Sequence, residues 1–208
     1  MSTMSSPNRS SADTKDQILD AADEFFGTLG FAATSTRLIA ERSGVNKALI
    51  HYHFGSKQQL FTNVLDRYYA RLEETVRTHL GQGDNARERL LHLIDSYVDF
   101  LAENHLFSRM IQREILGGQH VERITQIMLP MFQLGRAVVQ STYPETKTGP
   151  LEASQLLVSI YGMVVASFSY APVLEGLWGE DPLAPPALER RKAHLRAMAE
   201  LVMQRLEH

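Results

Sequence analysis

From Arg42 to Leu60 the chain carries three cations (Arg42, Lys47, Lys57), two histidines (His51, His53) and no carboxylate. The six acids of the first sixty residues (Asp13, Asp16, Asp20, Asp23, Glu24, Glu41) all precede Arg42. A local positive stretch in a chain of net charge -3 suits one confined meeting with an anionic surface rather than a polybasic coat. The residue types fit duplex DNA. Lys47 can reach a phosphate or a guanine edge, Ala48 and Leu49 can meet thymine methyls, and His51, Tyr52 and His53 can donate to phosphate oxygens. Ser56 and Lys57 open a helix whose first free N–H groups, with one ammonium, make an anion site. Arg37 flanks the same region.

These side chains need rigid elements to present them. Ser35 or Thr34 can cap a short helix over Thr36–Arg42; Gly44 then ends it, and Asn46 can cap a second over Lys47–His53. Two short helices joined by a glycine turn make a helix-turn-helix. Small Ala40 lets them approach closely, while Ile39, Val45, Ile50 and Phe54 supply the apolar side. Ile50 and Phe54, four apart, share one helical face and turn it inward. A preceding helix over Asp13–Leu29 carries Ile18, Ala22, Phe25 and Leu29 as its apolar stripe, with Thr14 and Gln17 at capping-box spacing and Gly30 behind it. Ser56 and Gln59 repeat that spacing before a long helix ending near Leu80.

Thr14 to Phe61 resembles the DNA-binding domain of the tetracycline-repressor (TetR/AcrR) family. The resemblance lies in Ile18–Phe31, then Thr34–Phe61, and above all in the run His51-Tyr52-His53-Phe54-Gly55-Ser56-Lys57. It implies DNA contacts at Arg37, Lys47, Ala48, Leu49, His51, Tyr52, His53 and Lys57. Leu49 stands where the family often has Thr or Ser, and His51 where it often has Tyr or Asn, so base preference is not transferable from a relative. The implied fold is all-α: a three-helix helix-turn-helix domain over residues 13–55, preceded by a disordered segment over 1–12 and followed by a larger ligand-binding and dimerisation domain over 56–208, about nine helices in all. Arg9 in the first segment could serve as a minor-groove arm.

Beyond Leu80, helical periodicity marks Asn85–Glu103, Leu106–Leu116, Val121–Ser141, Glu152–Leu177 and Ala187–Leu206, with Pro130 expected to kink the third of these. Ala153–Leu174 has no charged residue and approaches the length of a membrane span. Its serines, Gly162 and Pro172, with no flanking basic cluster, favour a helix buried in an interface instead. The family layout implies a homodimer through the last two helices and a pocket for a small-molecule effector. Candidate pocket residues are Tyr97, Phe107, Met110, Arg113, Met128, Phe132, Tyr161, Phe168 and Trp178, with His105, Gln112, Met131 and Tyr170 behind them. Arg113, which the family layout puts in the middle of a helix, is placed either to bind an anionic ligand or to pair with Glu114 or Asp99 or stand in solvent.

The eight histidines show no metal-ligand spacing, no carboxylate–histidine pair stands out, and the chain has no cysteine, so no metal or cofactor is expected. No nucleophile elbow, zinc-protease motif or phosphate loop points to an enzyme. The sequence therefore predicts a cytoplasmic, nucleoid-associated regulator. A repressor released from a palindromic operator by a small molecule is the first reading, and a ligand-independent regulator or an activator the second.

Overall fold

The computed structural model describes residues 11–80, 83–117 and 120–207. The segment expected to be disordered lies outside these except for Ser11 and Ala12, which open the first helix; Arg9 lies outside them. Among the described residues there are ten α-helices, one 3-10 turn and no strand. They are α1 Ser11–Leu29, α2 Thr36–Ser43, α3 Lys47–Phe54, α4 Lys57–Leu80, α5 Ala86–Glu103, α6 His105–Gly117, α7 Val121–Thr142, the turn Pro144–Lys147, α8 Ala153–Ser169, α9 Ala171–Trp178 and α10 Pro185–Leu206. The chain divides into two compact units, with the boundary inside α4 between Tyr68 and Tyr69.

In the first unit the caps lie where short polar residues precede apolar runs. Ser35 Oγ accepts from the Leu38 N–H at 3.2 Å, Asn46 Oδ1 from Leu49 at 2.9 Å, and Ser56 Oγ from Gln59 at 3.1 Å. Gly44 takes φ +67 at the turn, a conformation that costs other residues strain. The core gathers Ile18, Ala22, Phe26, Ile39, Ile50, Phe54 and Phe61. Phe61 meets Phe26 edge-on, with ring centroids 5.0 Å apart, and Phe31 at 5.3 Å.

Two expectations for α1 change. Its buried stripe runs through Phe26 rather than Phe25, and Leu29 is about half exposed. Thr14 lies inside the first turns instead of capping them, because the helix begins at Ser11.

In the second unit α10 packs on α5 and α8, and α7 on α8. Arg196 binds Asp95 at 2.7 Å and Lys192 binds Asp99, tying α10 to α5. α7 continues through Pro130 as one helix, although the proline nitrogen cannot donate to the Gln126 carbonyl. The expected single helix over Glu152–Leu177 is two, α8 and α9, bent by 76° at Tyr170. Pro172 supplies the reason: in a continuous helix its ring would strike the Phe168 carbonyl, whereas in the first turn of a new helix its missing N–H costs nothing. No single helix among the described residues is long and apolar enough to cross a membrane.

Candidate nucleic-acid interface and apolar cavity

α3 is anchored by Ile50 and Phe54, which are buried, so the rest of its short surface faces outward. Lys47, Ala48, Leu49, His51 and Tyr52 are exposed and His53 is half-buried. Tyr52 is 81% exposed, an unusual position for a large aromatic, and its ring meets His53 edge-on at 5.1 Å. His51 Nδ1 lies 2.9 Å from the Gly55 carbonyl oxygen. A carbonyl only accepts, so Nδ1 carries the proton, and in the neutral ring Nε2 is left as an acceptor facing outward. Arg37, on α2, is exposed and pairs with Glu41 one turn on at 2.8 Å. A surface pair of this kind contributes little and is readily exchanged for another anion.

Lys57 is engaged elsewhere. Its ammonium donates to the carbonyls of Phe31 and Thr34, both at 2.9 Å, and lies 4.2 Å from the centre of the Phe31 ring. Two of its three protons thus close the α1–α2 loop onto the start of α4. This long-range role has no local signature in sequence.

In the second unit a cavity of about 600 Å³ opens among α4, α5, α6, α7, α8 and α10. Of the nine residues expected to form a pocket, Tyr97, Phe107, Met128, Phe132 and Tyr161 line it, and Met131 joins them. Met110 and Phe168 are buried away from the wall, Arg113 is exposed off it, and Trp178 borders a separate depression with Arg190 and His194. His105, Gln112 and Tyr170 are also off the wall. Tyr69 was missed because α4 reads as a connector; its ring meets Phe107 at 5.3 Å. Met198, Val202 and Met203 of α10 were missed as well, since that helix reads only as an interface stripe.

Among the described residues no Asp, Glu, Lys, Arg or His lines the cavity. Its polar atoms come from Tyr69, Tyr97, Tyr143 and Tyr161, with Ser108, Ser159 and Gln155. Burial raises the phenols of Tyr69, Tyr97 and Tyr161 above their ordinary range, so all three stay protonated.

One sequence reading is corrected here: Glu114 and His120, both buried, are hydrogen-bonded to each other. They lie six apart across the end of α6, a spacing that no single helix brings together. Among the described residues no three His, Asp or Glu side chains gather closely enough to hold a metal.

Against this geometry stand the similarities to known proteins. Residues 18–64 match the model of bacterial regulatory proteins of the tetR family, and residues 87–199 match the tetracyclin repressor-like C-terminal domain. The chain is 35% identical over 95 residues to the HTH-type transcriptional activator FasR of Mycolicibacterium smegmatis, covering 46% of this chain and 43% of that one. It therefore spans less than half of FasR. It is 32% identical over 168 residues to the HTH-type transcriptional repressor Rv3405c of Mycobacterium tuberculosis, covering 80% and 78% of the two chains. A TetR-like transcriptional regulator from Rhodococcus sp. RHA1 shares the fold, with a TM-score of 0.72 and 19% identity over 93% of this chain and 97% of that one. Both halves thus match one family, and the chain belongs to the tetR family of bacterial regulatory proteins.

Proposed function

We propose that the chain is a homodimeric repressor that binds a palindromic operator through α3 and releases it when a small molecule fills the second-unit cavity. The observation that carries this reading is the pairing of an outward, carboxylate-free α3 with a cavity of about 600 Å³, lined among the described residues by no charged side chain and of a size that suits a small ligand. Lys47, Ala48, Leu49, His51, Tyr52 and His53 face the major groove, and Arg37 reaches the flanking backbone after leaving Glu41. Lys57 acts from inside, holding the loop that positions α2.

α4 is the link. Within the first unit Arg67 pairs with Asp20 and Asp23, and the Tyr68 hydroxyl bonds Asp23 at 2.6 Å. The next residue, Tyr69, is in the cavity wall. A ligand that moves Tyr69 therefore moves a helix pinned to α1, and shifts the reading heads of a dimer off a spacing of about 34–36 Å. It acts only as far as it binds one arrangement better than the other.

Dimerisation through α8 and α10 is supported by Val158, Met198 and Leu201, apolar residues that a lone chain leaves exposed. The reading puts the protein at the nucleoid in the cytoplasm. The similarity to FasR supports a second reading, an activator with the same DNA contacts.

Fluorescence anisotropy on fragments flanking the protein's own gene tests both. Salt-dependent, palindrome-specific binding is expected, and in-vitro transcription then gives the sign. Uniform binding to every fragment contradicts both readings.

A further inference from the structure

The cavity also says what kind of molecule it takes. We infer that the effector is an uncharged, largely apolar molecule with a single hydroxyl or carbonyl oxygen, which meets the hydroxyls of Tyr69 and Tyr97 while its hydrocarbon fills the rest of the cavity. This rests on the reading of that cavity as the effector site.

The first support is the wall itself. Leucine, isoleucine, valine, methionine and phenylalanine dominate it, and among the described residues tyrosine is its only ionisable side chain. A carboxylate or phosphate brought there loses its water and gains no counter-charge. Four cations of the second unit bond groups outside the lining: Arg196 on Asp95, Lys192 on Asp99 and Arg87 on Glu207, with Arg191 on the Met163 backbone carbonyl. Arg113, the cation that could have served an anion, is on the exposed side of α6.

The phenols give a second, independent support. The Tyr69 hydroxyl is fully buried and has no hydrogen-bond partner among the described residues, and Tyr97 and Tyr161 line the same cavity. Buried hydroxyls without a partner are uncommon, because each gives up its bonds to water. Tyr97 and Tyr161 stack with centroids 6.2 Å apart, and Phe132 packs on Tyr161 at 5.6 Å, so the rings are held in place. Tyr97 is deep in the unit yet only half-buried, which means that its open surface faces the cavity.

The phenols also report the local field. Burial pushes all three up, neighbouring tyrosines add to this at Tyr69 and Tyr97, and no cation pulls any of the three down. Tyr143, at another part of the wall, does feel Arg87. The same environment that keeps the three phenols neutral disfavours any anion placed among them.

Three ten-carbon probes test this on the full chain: decan-1-ol, decanoate and butylbenzene, each displacing the neutral dye Nile red at pH 7.5. Decan-1-ol is expected to displace the dye at a concentration at least about tenfold below that of decanoate. In Tyr97→Phe and Tyr69→Phe, which remove only an oxygen, decan-1-ol weakens by about three- to tenfold, the loss of one hydrogen bond, while butylbenzene is unchanged. Decanoate binding as well as decan-1-ol, or equal losses for all three probes, overturns the inference but leaves the cavity as a ligand site. Failure of every probe and of the dye to bind overturns the inference and the effector reading together.

Discussion

Tyr52 and Lys57 are close in sequence, and both resemble family contact positions, yet they do opposite kinds of work. Tyr52 is 81% exposed and supports nothing in the first unit's core. Tyr52→Ala should leave thermal unfolding within about 0.5 kcal/mol of the parent chain while weakening operator binding in anisotropy titrations. Lys57 holds two carbonyls and covers the Phe31 ring. Lys57→Met should destabilise the first unit by about 1–3 kcal/mol, read as a lower unfolding temperature, and weaken DNA binding only through that loss. The outward placement of the residues from Lys47 to His53 around buried Ile50 was legible because α3 is short and has two inward residues. The Lys57 bonds were not legible, because they reach 26 and 23 residues back to carbonyls that any sequence would have.

At the scale of the element, the local rules held in the helix-turn-helix, whereas the capping spacing at Thr14 and Gln17 did not mark the start of α1. Ser35, Asn46 and Gly44 mark the helix-turn-helix by type and position, and the caps form at those residues. Ser35→Ala and Asn46→Ala should each cost about 1 kcal/mol in thermal unfolding. Gly44→Ala should cost about 1–2 kcal/mol from backbone strain alone, since a Cβ there meets nothing within 4 Å.

The break at Tyr170 had its signal in Pro172, but an unbroken charge-free run outweighed it in a reading by periodicity. The Phe25-to-Phe26 change in α1 has a similar origin. Adjacent phenylalanines both fit an apolar stripe, and only the position of Phe61 on another helix decides between them. The cavity was half legible for the same reason: α5 and α7 showed their Met and aromatic faces, whereas the contribution of α4 and α10 depends on how helices pack.

At the scale of the whole molecule, α4 runs across the boundary of the two units, and the proposed dimer would set the distance between two reading heads. Val158 on α8 and Leu201 on α10 are 60% and 61% exposed in the single chain. Val158→Glu and Leu201→Glu should therefore leave each chain folded by circular dichroism, shift sedimentation from dimer to monomer, and lower operator affinity steeply.

The most direct test of the central claim is selection of binding sites from a random duplex library by the full chain, with Tyr52→Ala and Lys47→Ala alongside. The account predicts an inverted repeat with half-site centres about one helical turn, roughly 34–36 Å, apart. Capture should be weakened by Tyr52→Ala, and the slope of its salt dependence reduced by about one per protomer by Lys47→Ala. Recovery of no shared sequence, or of a site that both variants bind as tightly as the parent chain, would contradict it.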